Sequence, residues 1–175
     1  MNTDLKFGRG LALALSCAAG AALLAASQFV DIFYLASEGP RPIEAIGASS
    51  QHGLTNVILA ALALLLACLA LVAGSHSTLG RLAFGGIAIA GLVGLLVFAL
   101  IDLPDVGSAG TLDSPTGELT EATVEPAAGF WMELFGSLLL LATGAIGALG
   151  SRDAPEADSG TDPGLTSSGS QRAAR

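Results

Sequence analysis

Four carboxyl or amide side chains stand at corresponding ends of four long apolar segments of the chain. They are Asp31, Asn56, Asp102 and Glu133, one for each segment. Because consecutive membrane-crossing segments alternate in direction, all four are expected within about two helical turns of the same membrane surface. Carboxylates gathered in this way can bind a cation or take up protons. The four residues are therefore a candidate acidic vestibule that opens outward.

Glu133 is the most informative of the four because it is the one carboxylate that lies inside its apolar segment. A carboxylate in hydrocarbon costs on the order of 2 to 3 kcal/mol at the bilayer centre, and less near the edge. The alternative interpretation needs no ligand: the four residues reach headgroup water, and Glu133 lies near a helix N-terminus, where negative charge is favourable. From the sequence alone we prefer this alternative.

Other chemistry has weaker support in the sequence. His52 could complete a metal site with Asp102 or Glu133, but it has no partner at a metal-binding spacing. No nucleophile elbow, phosphate-binding glycine loop or calcium-loop spacing is present. The net charge of −8, without a basic cluster, disfavours nucleic-acid binding. We expect a protein that is not an enzyme and that has no metal or other cofactor.

The apolar segments have the length of membrane-spanning helices. A hydrocarbon core about 30 Å thick requires roughly 20 residues at about 1.5 Å each. Of all residues, 52% are hydrophobic and only 13% are charged. The backbone of such a segment must satisfy its own polar groups, which favours a helix. The sequence predicts an all-α integral membrane four-helix bundle over residues 11–150, embedded in a lipid bilayer, with spans 11–30, 54–73, 82–101 and 130–149.

The positions of lysine and arginine predict the orientation of the bundle. Positively charged residues close to membrane-spanning segments are retained in the cytoplasm. Arg41 is the one basic residue on the opposite side. We therefore expect a cell (inner or plasma) membrane protein with cytoplasmic residues 1–10 and 151–175, and outer loops 37–53 and 103–127. The basic residues that carry this prediction are Lys6, Arg9, Arg81, Arg152, Arg172 and Arg175.

The two ends of the chain each have a distinctive composition. The first apolar run resembles a secretory signal, and "ALSC" at Cys17 resembles a lipoprotein site, but the run is twenty residues long and continues through Cys17. We expect it to remain as a helix. The tail 151–175 has no aromatic residue and is rich in Ser, Gly, Pro and Asp. Such a segment buries too little apolar surface to order, so we expect it to be disordered.

Small residues predict how the helices pack. Lipid is as apolar as leucine, so close approach of small residues and hydrogen bonds must hold the bundle together. At 3.6 residues per turn, each segment has one small-residue face that ends near a polar residue. Cys17 and Cys68 are expected to be small packing residues. The predicted faces are Cys17, Gly20, Leu24, Gln28 and Asp31; Asn56, Ala60, Ala63, Ala67 and Ala70; Gly86, Ala90 and Gly94, with Gly91 beneath Phe98 and Asp102; and Glu133, Gly136, Leu140, Thr143, Gly144 and Gly147.

The outer loops have their own pattern. Pro104 is expected to end the third helix because proline has no amide donor. The loop that contains Pro104, residues 103–127, has acidic residues and no basic one. Within it, apolar and polar residues alternate in "LTEATVEP", which predicts a strand packed over the bundle. Aromatic residues flank the spans, which predicts a belt at the membrane surface that binds no ligand. These aromatic residues are Phe29, Phe33, Tyr34, Phe130 and Trp131.

Three stretches resemble the small four-span integral membrane proteins of actinobacteria: "SQHGLTNVILAALALLLA", "ALIDLPDVGSAGTL" and "GFWMELFGSLLLLATGAIGAL". The resemblance covers about residues 11 to 150. It implies an inner-membrane helical bundle and supplies no catalytic residue. We expect a non-enzymatic accessory protein that binds a membrane-protein partner or another copy of itself. The alternative is a small cation- or proton-coupled permeation unit that uses Glu133 and Asp31.

Overall fold

The structure is a computed structural model that describes residues 3–37, 43–46, 54–74, 77–113 and 119–150. In these ranges the chain is mostly helical. Four helices contain stretches long and apolar enough to cross a membrane, as predicted. The predicted features at Arg41, His52 and the tail 151–175 lie outside the described residues. The helices are α1 (Thr3–Ala26), α2 (Thr55–Ala73), α3 (Thr78–Val97) and α4 (Ala128–Leu149).

The helices form a ring in which each contacts the next in sequence, and α4 closes it against α1. The most extensive contacts are those that α4 makes with α3 and α1. Consecutive helices run in opposite directions, so the ends of α1 and α3 lie beside the starts of α2 and α4. We call this the sheet end of the bundle because the strands described below are attached there.

The buried face of α2 is the predicted one: Asn56, Ala60, Ala63, Ala67 and Ala70 are its buried residues. The six residues predicted for the fourth helix are also buried. Small side chains on these faces let helix backbones approach closely. A methyl group added at Gly136 of α4 would lie 2.8 Å from the backbone nitrogen of Leu24 in α1. At Gly91 of α3 it would lie 2.8 Å from the carbonyl oxygen of Ser137.

The two cysteines differ in environment. Cys17 is fully buried, and its thiol donates to the carbonyl oxygen of Ala63 at 3.6 Å. It is the small packing residue that was predicted. The same prediction is wrong for Cys68, which is exposed on the outer surface of α2.

Helix α3 begins earlier than its apolar run suggested. The hydroxyl of Ser77 accepts a hydrogen bond from the amide of Gly80 at 2.9 Å, which caps the first turn. The helix therefore starts at Thr78 and includes Arg81, which lies just before the predicted span 82–101. A polar first turn lengthens this helix without contributing to the apolar run.

The other end of α3 changes its helical geometry. A π turn covers Phe98–Asp102, and a 3-10 turn covers Leu103–Asp105. The amide of Leu103 donates to the carbonyl oxygen of Phe98, five residues back. Pro104 follows and has no amide hydrogen to donate, so regular α-helical bonding cannot continue. Helical structure ends at Asp105, as the position of Pro104 predicted.

A four-stranded antiparallel sheet covers this end of the bundle, so the all-α class is incomplete. The predicted strand "LTEATVEP" is confirmed as β4 (Leu119–Pro126). The other strands were not predicted. They are β1 (Phe33–Ser37), β2 (Ile43–Ile46) and β3 (Ala109–Asp113), and the strand order is β2-β1-β4-β3. The segments that follow α1 and α3 therefore combine in one sheet, because β1 pairs with β4.

An aromatic cluster joins the sheet to the helices. Phe33, Phe98 and Phe130 are buried together with Ile32, and Val124 of β4 packs against them. The ring centroids of Phe98 and Phe130 are 4.6 Å apart, and those of Phe33 and Phe130 are 5.9 Å apart. The predicted aromatic belt is therefore wrong for Phe33 and Phe130. Phe29 and Trp131 are exposed, as residues of a belt would be.

Candidate functional site

The structure places three of the four candidate vestibule residues in the interior. Asn56 and Glu133 have no exposed surface, and Asp102 is 1% exposed. Asp31 is only partly buried, and its carbonyl oxygen accepts a hydrogen bond from the amide of Gly129 at 2.9 Å. That these residues bind anything stays a prediction.

Helix contacts place Asn56 and Glu133 at a similar depth. The bond from Cys17 to Ala63 fixes the alignment of α1 with α2. Seven residues further toward the sheet on each helix, Leu24 of α1 lies level with Asn56 of α2. The backbone of Leu24 also lies against Gly136 of α4, less than one turn from Glu133. The amide and the carboxyl group therefore occupy one level of the bundle.

Gln28 lies about one turn closer to the sheet than Leu24, level with the residue next to Glu133. It belongs to a 3-10 turn, Ser27–Phe29, that contacts both α2 and α4. Only 6% of Gln28 is exposed. In the same turn, the hydroxyl of Ser27 donates to the carbonyl oxygen of Leu24 at 2.8 Å. We call Gln28, Asn56 and Glu133 the inner polar tier.

Asp102 and Asp31 lie one level closer to the sheet. Gly94 of α3 packs against Ser137 of α4. Eight residues toward the sheet on both helices, Asp102 is level with Gly129. The amide of Gly129 is hydrogen-bonded to the backbone carbonyl of Asp31. Asp31 and Asp102 therefore form a second tier, which we call the rim.

Several buried polar atoms of this region have no hydrogen-bond partner among the residues that the structure describes. They are both amide atoms of Asn56, both amide atoms of Gln28 and the hydroxyl oxygen of Ser137. Ser137 is fully buried and was not identified from the sequence. Its position four residues after Glu133 is the signal that would have found it, since residues four apart share a helix face.

Below the inner polar tier the bundle is apolar. On the side away from the sheet, Ile87 and Leu140 have no exposed surface and fill the interior together with Phe84. The buried polar atoms are therefore concentrated toward the sheet end, although Thr143 lies deeper on α4. Among the described residues, the buried polar groups do not continue as a path along the whole bundle.

The sheet carries acidic residues on the face that points away from the bundle. Ala122 of β4 is buried, whereas its neighbours Glu121 and Thr123 are exposed. Side chains alternate along a strand, so Glu125 shares the outer face with both of them. The hydroxyl of Tyr34 on β1 donates to a carboxylate oxygen of Glu125 at 2.6 Å. We call Glu121, Thr123, Glu125 and Tyr34 the acidic sheet face.

The hydrogen bond with Glu125, and then its negative charge, raise the pKa of Tyr34 above the ordinary value of 10.0. A raised pKa in the folded protein means that this bond contributes to stability below the unfolded pKa, and that the contribution is lost as pH rises through the folded pKa. We predict that Glu125→Gln returns the pKa of Tyr34 toward 10.0. Absorbance titration measures this cleanly because the chain has a single tyrosine.

The matched control is Glu121→Gln on the same strand. Glu121 is paired with Thr111 of β3 and not with Tyr34. It should leave the tyrosine titration close to that of the wild type. Equal shifts in the two variants would contradict a specific bond between Tyr34 and Glu125.

Within the ranges that the structure describes, no three His, Cys, Asp or Glu side chains are grouped so that they could hold a metal ion. The chain matches no protein-family model, no curated protein and no solved structure. The likeness to small actinobacterial four-span proteins stays a prediction.

Proposed function

We propose that the protein is a non-enzymatic accessory protein of the plasma membrane that binds a protein partner through the acidic sheet face. The basic residues near the chain ends support cytoplasmic termini, which directs the sheet outward. The observation that carries the proposal is that the segments after α1 and α3 build one sheet, and that this sheet is attached to the helices by the cluster of Phe33, Phe98 and Phe130. A rigid scaffold that presents an exposed strand surface is suited to recognition.

The charge of the sheet indicates the kind of partner. From residue 103 to 127 the chain has five acidic residues and no basic one: Asp105, Asp113, Glu118, Glu121 and Glu125. Complementary potentials speed association and suppress wrong partners. The partner therefore presents a basic surface. Another copy of this chain would bring a second acidic sheet, which charge repulsion disfavours.

A photo-crosslinking residue at Thr123 tests the proposal in intact cells. Thr123 is exposed on the acidic sheet face, and the control position Leu65 is 69% exposed on α2. We expect an adduct with a second protein from Thr123 and none with that protein from Leu65. The protein identified by mass spectrometry should bind the purified chain in nanodiscs, about tenfold more weakly after Glu121→Lys at low salt.

Three outcomes would overturn this function. They are equal crosslinking at both positions, an adduct between two copies of the chain, and binding of the identified protein that is insensitive to Glu121→Lys. Each would remove the acidic sheet face as the recognition surface.

The second candidate function is cation or proton permeation, with Glu133 and Asp31 as the groups that carry charge. The burial of Glu133 and Asp102 favours it, since ionisable groups inside a membrane protein often mark ion pathways. The apolar interior formed by Phe84, Ile87 and Leu140 on the side away from the sheet counts against a path through a single bundle. Flux in proteoliposomes separates the two candidates: permeation requires flux in the wild type that Glu133→Gln abolishes.

A further inference from the structure

We propose that the inner polar tier, together with Ser137, is a binding site for a small monovalent cation such as sodium. The site is independent of the acidic sheet face. Three elements supply it: the turn after α1 carries Gln28, α2 carries Asn56, and α4 carries Glu133 and Ser137. All four side chains are at least nine-tenths buried.

Buried polar atoms in need of a partner are the observation that points to a ligand. Both amide groups, of Gln28 and Asn56, and the hydroxyl of Ser137 make no hydrogen bond within the described part of the chain. Burying such atoms unpaired is costly, so they normally meet protein groups, water or an ion. Asn56 and Gln28 are both buried in the bundle, so neither amide can turn to bulk water instead.

The chemistry of the donors indicates which ligand fits. Amide, hydroxyl and carboxylate oxygens, the groups that these four side chains supply, suit hard cations. Calcium sites usually gather six to eight oxygens with several carboxylates. The inner polar tier has one carboxylate, that of Glu133, which balances a single positive charge. A monovalent cation held by one carboxylate and neutral oxygens matches this composition.

Close packing fixes the size of the site. A methyl group added at Gly94 of α3 would collide with the hydroxyl oxygen of Ser137. Leu24 at the level of Asn56 and Leu140 on the side away from the sheet are both fully buried. These walls favour a small dehydrated ion over an organic cation. The same walls keep bulk water from satisfying the amides, so an ion that binds only the folded protein should stabilise it.

Thermal unfolding of the full chain in nanodiscs tests the site. Replacing choline chloride with sodium chloride at equal ionic strength should raise the Tm of the wild type by about 5 to 10 °C at saturation. The Tm should increase with the logarithm of the sodium concentration, and potassium should act less strongly. Equilibrium binding of radioactive sodium to the same sample should saturate at one ion per chain.

Two variants connect the effect to the site. Asn56→Leu and Gln28→Leu should each lose the sodium-dependent rise in Tm and bind at least tenfold less sodium. In choline chloride they should be at least as stable as the wild type, because an unpaired buried amide has been removed. Thr55→Val, at the exposed position next to Asn56, is the control and should keep the full response.

Several results would contradict the proposed sodium site. One is a wild-type Tm that is equal in sodium and choline. Another is a sodium response that both leucine variants retain. A Tm that depends on pH in choline and is unaffected by sodium would assign the site to a proton instead. If Asn56→Leu does not fold, Gln28→Leu and direct sodium binding to the wild type decide the question.

Discussion

Phe130→Ala should detach the sheet from the helices. Phe130 contacts Phe98 of the π turn and Phe33 of β1, and only 4% of it is exposed. Removing a buried phenylalanine ring typically costs about 3 to 5 kcal/mol. Because each 1.4 kcal/mol is a factor of about ten, we expect amide hydrogen exchange in β4 to accelerate by about a hundredfold or more. The core of α2, far from the cluster, should keep its protection.

Phe29→Ala is the matched control for this experiment. Phe29 is 84% exposed at the same end of the bundle, so its truncation should leave exchange in β4 nearly unchanged. Unchanged protection of β4 in Phe130→Ala would show that strand pairing alone holds the sheet in place. The proposed rigid recognition surface would then lose its physical basis.

Gly144→Ala should disrupt the contact between α3 and α4. The added methyl group would lie 2.7 Å from the Cα of Ala88 and 2.7 Å from the carbonyl oxygen of Phe84, and it would overlap the backbone nitrogen of Ala88. Backbone atoms cannot rotate away, so the two helices must separate. Overpacking of this kind costs about 1 to 3 kcal/mol. Reversible unfolding in mixed micelles should record a loss of this size.

Gly85→Ala makes the same chemical change at an open position. No atom lies within 4 Å of the added methyl group there. The variant should be as stable as the wild type or up to about 1 kcal/mol more stable, because alanine favours a helix over glycine. Equal losses in Gly85→Ala and Gly144→Ala would mean that glycine contributes through backbone flexibility and not through close packing.

The helices could be predicted well from the sequence because their signals are local. The spacing of four and three residues from Asn56 to Ala70 places these residues on one face of any helix, and the structure buries that face. Helix boundaries were less accurate. The start of α3 depends on the cap at Ser77, a polar residue outside the apolar run. Helix α1 begins at Thr3, before the apolar run that predicted it.

The sheet could be predicted only in part because strand pairing is not local. In β4, apolar and polar residues alternate over eight positions, and that pattern was sufficient to predict the strand. β1 has five residues and acquires its role by pairing with β4, a partner about ninety positions later, as with Tyr34 and Glu125. The sheet that this pairing forms also shields Phe33 and Phe130 from solvent. Aromatic residues next to a span normally indicate the membrane surface, and here a tertiary contact buries two of them.

The polar residues at the sheet end were found because charges and amides next to long apolar runs are conspicuous. Their depth was not evident, since it depends on which helix faces which. The alignment of Cys17 with Ala63, and of Gly20 with Gly136, sets that depth. Ser137 was missed because a serine in an apolar helix is common, although its position four residues after Glu133 places it on the same face. The opposing Gly94 shows that this face packs against α3.

Cysteine accessibility in intact cells is the most direct test of the central claim, which is that the sheet is a recognition surface outside the cell. Ser108, just before β3, is exposed. In a Cys68→Ser background, an impermeant thiol reagent should label Ser108→Cys in intact cells, and Ser151→Cys only after permeabilisation. Labelling of Ser151→Cys in intact cells, with Ser108→Cys protected, would place the sheet in the cytoplasm and contradict the account.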